Sequence, residues 1–227
     1  MMKPESPINA IPPIIIALAL AIIGVEAVLQ LADAGIVGGQ RGVGWRLDAI
    51  QTYGFSSAVL DRVMINNDYS ASLLARFVTY PFINTGLTQV AFCAALTLAL
   101  GKFTAEFYGG AKILLLYGVT AIVGAVAFGL IAPNNYRLIG GFPPVYGLIG
   151  AYTYALWLNL KAMGENQLKA FRLIAVLLGL QLVFGLIFDT GYGWVAELTA
   201  FVVGFALSLL LAPGGWAAFL RRMRQRS

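Results

Sequence analysis

Apolar residues in this chain fall in blocks rather than alternating with polar ones at helix or strand period. Six blocks are long enough to cross a bilayer core: Ile11–Leu31, Phe82–Leu100, Ala111–Ala132, Pro144–Leu160, Phe171–Phe188 and Trp194–Leu211. About 20 apolar residues suffice for one crossing. Most connections between them are short. The exception runs from Ala32 to about Pro81, where "WRLDAIQTYGFSSAVLDRVMINNDYSASLLARF" mixes apolar and charged residues at helix-like spacing. That mixture predicts short amphipathic helices lying at the membrane face, and a connection of this length tends to carry structure or function of its own. The pattern therefore predicts an all-α polytopic membrane protein: six transmembrane helices with a long, partly helical first loop. The first block exceeds the apolar stretch of a cleaved signal peptide and has only Lys3 ahead of it, so we read it as a retained span.

Composition strengthens this reading. The 227 residues are 59% hydrophobic and 11% charged, with mean hydropathy +0.81, too little charge to cover a soluble surface. The net charge of +5 sits mainly in connections and tail. Six spans put both ends on one side, and ten of the fifteen Lys and Arg fall on that side. Arg41, Arg46, Arg62, Arg76 and Arg137 fall on the other, offset by Asp33, Asp48, Asp61, Asp68 and Asp189. The positive-inside rule makes both termini cytoplasmic. No basic stripe with interleaved aromatics supports nucleic-acid binding. We expect a single domain over 1–227, with a first loop of about 32–81, a core of about 76–211 and a basic tail, 213–227.

Small residues suggest which helices meet. Gly147, Ala151 and Ala155 recur every fourth position in the fourth span, and Ala196, Ala200, Gly204 and Ser208 do so in the sixth. Such ridges let backbones approach closely, which matters where lipid removes the hydrophobic drive for helix pairing. Spans four and six are expected to cross in contact. Trp157, Trp194 and Trp216, with Tyr152, Tyr154 and Tyr192, lie mostly near span ends, as interfacial anchors do.

Candidate chemistry is sparse. There is no histidine, so no Ser–His or Cys–His nucleophile exists in this chain. Cys93, the single cysteine, forms no intrachain disulfide and reads as a small buried hydrophobe. No spacing of carboxylates suggests a metal site, and no cofactor is expected. Two ionisable residues inside spans stand out, Glu26 and Glu197, since such groups are costly in a membrane. Glu26 has Gln30 one turn on, and should point into the bundle and bond to a neighbour. A small transporter or channel using Glu26 and Glu197 is one reading of the pair.

Four stretches, in order, resemble the rhomboid family of intramembrane serine proteases. "ARFVTYPFINTG" resembles the family's "WRLLTYxFLHxG". "GKFTAEFYGGAKILLLYGVTAIVGA" resembles its passage from the second span to the third. "GGFPPVYGLIGAY" resembles "GASGAVYGLLGA", and "AELTAFVVGFALSLLL" resembles "AHLGGLLAGLLLGLLL". The resemblance covers about Arg76 to Leu211 and implies a six-helix rhomboid-like bundle. It also implies what has changed. The nucleophile serine falls on Phe142 and its following glycine on Pro143; the base histidine falls on Glu197. The oxyanion-holding histidine and asparagine fall on Gln89 and Cys93, and the preceding histidine on Asn84. The glycine three positions after the base histidine falls on Ala200, while the packing positions Gly147, Gly150, Ala151 and Gly204 remain. The family packing would bring Glu197, Gln89 and Asn84 together as a polar cluster near the Phe142 turn. The resemblance thus implies a pseudoprotease of a bacterial inner membrane that binds other membrane proteins or their transmembrane segments. The alternative is a serine-type endopeptidase with a non-standard site.

Overall fold

The computed structural model describes residues 11–187 and 191–213, and the side chains of all of these except 180 and 182–187. Lys3, Asp189, Trp216 and the arginines of the basic tail lie outside the described residues. Six long helices form the bundle: α1 (Pro13–Asp33), α5 (Leu87–Tyr108), α6 (Gly110–Ile131), α7 (Phe142–Ala162), α8 (Arg172–Ile187) and α9 (Gly193–Leu211). Between the first two lie the short loop helices α2 (Trp45–Tyr53), α3 (Ser57–Met64) and α4 (Ala71–Thr79). Helices α1, α5, α6 and α9 are each long and apolar enough to cross a membrane. The protein is a polytopic, all-helical membrane bundle.

The second span differs most from its expected limits. It starts at Leu87 rather than Phe82, because Tyr80–Phe82 forms a 3-10 turn and Ile83 then runs extended. It also continues past Leu100 to Tyr108. No residue breaks it before Gly109, whose φ of 89° ends the helix at a backbone angle that favours glycine. Thr104 lies within the added turns and returns its hydroxyl to the Leu100 carbonyl at 2.7 Å, so its polar atom is satisfied without a partner helix.

Helix α7 occupies the centre and packs most extensively on α9, then on α6 and α5. Val145, Gly147, Leu148, Ile149 and Ala151 are all buried. At the crossing with α9, a side chain at Gly204 would collide with the backbone of Gly147, and one at Gly150 with the Phe201 carbonyl. Gly147 also faces the Thr120 side chain of α6, so three helices share one narrow junction. Ala196 and Ala200 of α9 are wholly buried beside it. In lipid, such backbone approach supplies the dispersion contacts that hold helices together.

The first loop is anchored, not draped. Phe55 and Leu138 exchange two backbone hydrogen bonds, at 3.0 and 2.8 Å. The Phe55 ring packs edge-on to Phe77 with centroids 4.7 Å apart. Ser57 donates to the Ala132 carbonyl at 2.5 Å. Helices α3 and α4 thereby bury Val59, Leu60, Leu73 and Phe77 against α6. Their other faces leave Met64, Leu74 and Val78 exposed, the distribution of an interfacial helix. Helix α2 buries no residue fully.

Candidate functional site

The turn into α7 is tight because three elements converge on it. Gly140 has φ 95°, and its amide donates to the Tyr80 carbonyl at 3.0 Å. A side chain there would strike the Gln89 amide and lie 3.5 Å from Asn84 Oδ1. A side chain at Gly141 would meet the Pro81 carbonyl at 3.2 Å and Cys93 Sγ at 3.5 Å. Phe142 is the first residue of α7, with Pro143 and Pro144 next, where missing amide protons cost nothing. Its half-buried ring packs on Ile22, Val90 and Cys93. The cluster under Phe142 is thus hydrocarbon and one thiol.

Around this turn the expected polar residues take local roles. Gln89 Oε1 accepts from the Thr85 amide at 2.9 Å and its hydroxyl at 2.7 Å, closing the start of α5. Asn84 is 1% exposed; its amide reaches the Phe82 carbonyl at 3.4 Å, and its Oδ1 has no hydrogen-bond partner. Glu197 stands on the second turn of α9 and accepts a hydrogen bond from Gln181 of α8. The structure therefore brings Gln89 and Asn84 together at Gly140 and gives Glu197 a partner on a different helix. Its neighbour Ala196 reaches the α6–α7 junction. A side chain at Gly124 would lie 3.0 Å from the Ala196 carbonyl and 3.5 Å from Pro143.

The residue that sequence reasoning missed is Arg46. Its guanidinium grips Glu26 with both terminal nitrogens, at 3.1 and 3.0 Å, and donates from Nε to Asp33 at 2.8 Å. Nη1 also donates to the Asn84 carbonyl at 3.0 Å. Gln30 completes the shell, donating to Glu26 at 2.7 Å. Glu26 does point into the bundle and bond to Gln30, and its principal partner comes from the loop. The hydrogen bond to Glu26 raises the tendency of Arg46 to stay protonated, against the opposing effect of burial. One side chain thus ties α1, α2 and the entry to α5 together. The available signal was an arginine set between "GVGW" and an apolar residue in a loop rich in glycine. The second missed residue, Gln181, is the one amide inside the fifth apolar block.

Among the described residues, the turn shows no nucleophile hydrogen-bonded to a base. Ser208, in α9, is wholly buried and returns its hydroxyl to the Gly204 carbonyl at 2.7 Å. Cys93 faces apolar side chains and the backbone of Gly141.

Comparison with known proteins places these features in a group. The Rhomboid domain pattern matches residues 71–214, from the start of α4 to just beyond the end of α9. Rhomboid-related protein 3 of Mus musculus is 28% identical over 110 residues, covering 48% of this chain and 27% of that protein. The protein named "Putative rhomboid protease YdcA" of Bacillus subtilis (strain 168) is 24% identical over 135 residues, covering 60% of this chain and 66% of that protein. The chain thus spans about a quarter of the first relative and under two thirds of the second.

Proposed function

This chain belongs to the rhomboid family, and we propose that within it the protein acts as a pseudoprotease, binding membrane proteins or their transmembrane segments without cutting them. The observation that carries this reading is Phe142. It stands at the first position of α7, where the family resemblance sets the nucleophile, and it packs against the cluster of Ile22, Val90 and Cys93. The absence of histidine from the sequence removes the usual base. Glu197, at the base position, is engaged by Gln181.

What the fold retains is the means to hold helices. The Gly147–Gly204 crossing and the anchored first loop form a close-packed frame. A partner's transmembrane segment is the natural ligand of such a frame, together with the bilayer itself. We place the protein in a bacterial inner membrane with both termini cytoplasmic, because basic residues favour that side. Glu26 is held by Arg46 and Gln30, which gives a proton or ion path through it no support.

The test combines labelling and cleavage. In proteoliposomes, a serine-reactive phosphonate should leave the protein unmodified and a model transmembrane substrate should remain intact, while photocrosslinking in native membranes should recover a membrane-protein partner. Labelling of one serine, lost together with substrate cleavage when that serine is replaced, would establish an endopeptidase with a non-standard site instead.

A further inference from the structure

We propose that Arg62, Arg76 and Arg137 form a binding site for a phosphate-type oxyanion, on the face of the bundle that carries the first loop. The three residues come from α3, α4 and the connection between α6 and α7. The backbone pairing of Phe55 with Leu138 and the edge-on contact of Phe55 with Phe77 draw those segments together. Val63, Phe77 and Leu138, the residues next to the three arginines, all belong to one apolar cluster. The arginines therefore stand on the rim of a shared core.

Among the described residues, ion pairs join Arg46 to Glu26 and Asp33, and Lys169 to Glu165, and none involves these three arginines. Arg76 Nε is sealed from solvent and has no hydrogen-bond partner. A buried unsatisfied donor in a well-packed region commonly marks a missing water or ion. Burial, and then the charges of Arg137 and Arg62, lower the tendency of Arg76 to stay protonated, which puts both neighbours within electrostatic reach. An anion between them would reverse that penalty and satisfy the free donors.

Guanidinium geometry selects the ligand class. The planar fork of each arginine matches the paired oxygens of phosphate, and three forks from three segments suit a tetrahedral group better than a planar one. Two sources carry that chemistry, free phosphate and a phospholipid headgroup. On α4, Leu73 and Phe77 turn to the core, exposed Leu74 and Val78 follow one flank, and Arg76 follows the other. Arg76 thus stands apart from the exposed apolar flank of α4, as a headgroup- or water-facing residue of an interfacial helix would.

The full chain in dodecyl maltoside micelles, which carry no phosphate, provides the test, with thermal unfolding followed in sodium phosphate and in sodium chloride at equal ionic strength. A second arm adds phosphatidylglycerol to the micelles in sodium chloride and omits phosphate. We expect at least one arm to raise the midpoint by about 2–4 °C, the gain from a ligand at a few times its Kd for a chain of this size. Gain in the phosphate arm identifies a soluble anion as a ligand, and gain in the lipid arm a headgroup. Both R76Q and R137Q should lose the gain; Arg137 is exposed, so its variant keeps the test open if R76Q does not fold. No gain in either arm, or an equal gain in R137Q, overturns the proposal.

Discussion

The two carboxylates inside the bundle have opposite surroundings. Glu26 is the fourteenth of twenty-one residues in α1 and 1% exposed, yet three donors reach it: two from Arg46 and one from Gln30. Glu197 is the fifth residue of α9, half-buried, and bonds to the Gln181 amide. An ionisable group in a membrane helix is costly unless paired. The deeper one has a full charge partner, and the shallower one makes do with an amide. Cost of desolvation, not chemistry, sorts the two. Glu26 reads as a structural anchor, while Glu197 keeps the smaller commitment of a residue at a helix entrance.

The strongest way to break this contrast is to remove Arg46. Arg46→Ala would leave Glu26 buried and uncompensated, and breaking a buried pair from one side costs about 3–5 kcal/mol. Denaturant titration in detergent should show that loss. It should also release the first loop from α1, read as faster proteolysis between α2 and α3. Replacing both partners, with Glu26→Leu and Arg46→Met, should recover more than half of the loss, because matched apolar groups carry no desolvation penalty. A double variant no more stable than Arg46→Ala would mean that Asp33 and the Asn84 carbonyl, not Glu26, carry the value of the arginine.

On the other side of the comparison, Glu197→Gln should cost less than about 1.5 kcal/mol. The amide that replaces the carboxyl keeps an acceptor for Gln181, so what is lost is at most one net hydrogen bond. Unfolding in the same detergent measures it directly. A loss as large as that of Arg46→Ala would show that Glu197 supports more of the α6–α7–α9 junction than its single described hydrogen bond indicates.

The sequence was most legible where one residue type repeats along one helix. Apolar blocks located the six helices, and the four-residue recurrence of Gly147 with Ala151, and of Ala196 with Ala200 and Gly204, lies on the faces where α7 and α9 meet. Glu26 with Gln30 was legible for the same reason, since residues four apart share a helix face. Pairings between elements were not. Arg46 lies twenty residues from Glu26, and only the folded loop brings it back over the end of α1. Gln181 lies sixteen residues from Glu197, on a different helix, a pairing that sequence spacing cannot give. The end of α5 was misplaced because Gly101 and Lys102 look like a terminus, whereas Gly101 is a packing position against Ile15.

The smallest effect sharpens the contrast within the Arg46 network itself. Asp33 accepts from Arg46 Nε at 2.8 Å, a better-formed bond by distance than either bond to Glu26. Yet its side chain is 35% exposed, against 1% for Glu26. Water can replace the arginine at Asp33 and cannot at Glu26, so distance is the wrong guide and burial the right one. Asp33→Asn should therefore cost only about 0–1 kcal/mol, the range of an exposed pair. The cost should shrink further in high salt, which screens exposed charges but not buried ones. Unfolding of Asp33→Asn and Arg46→Ala at low and high salt separates the cases: the first difference from wild type should fade with salt and the second should persist.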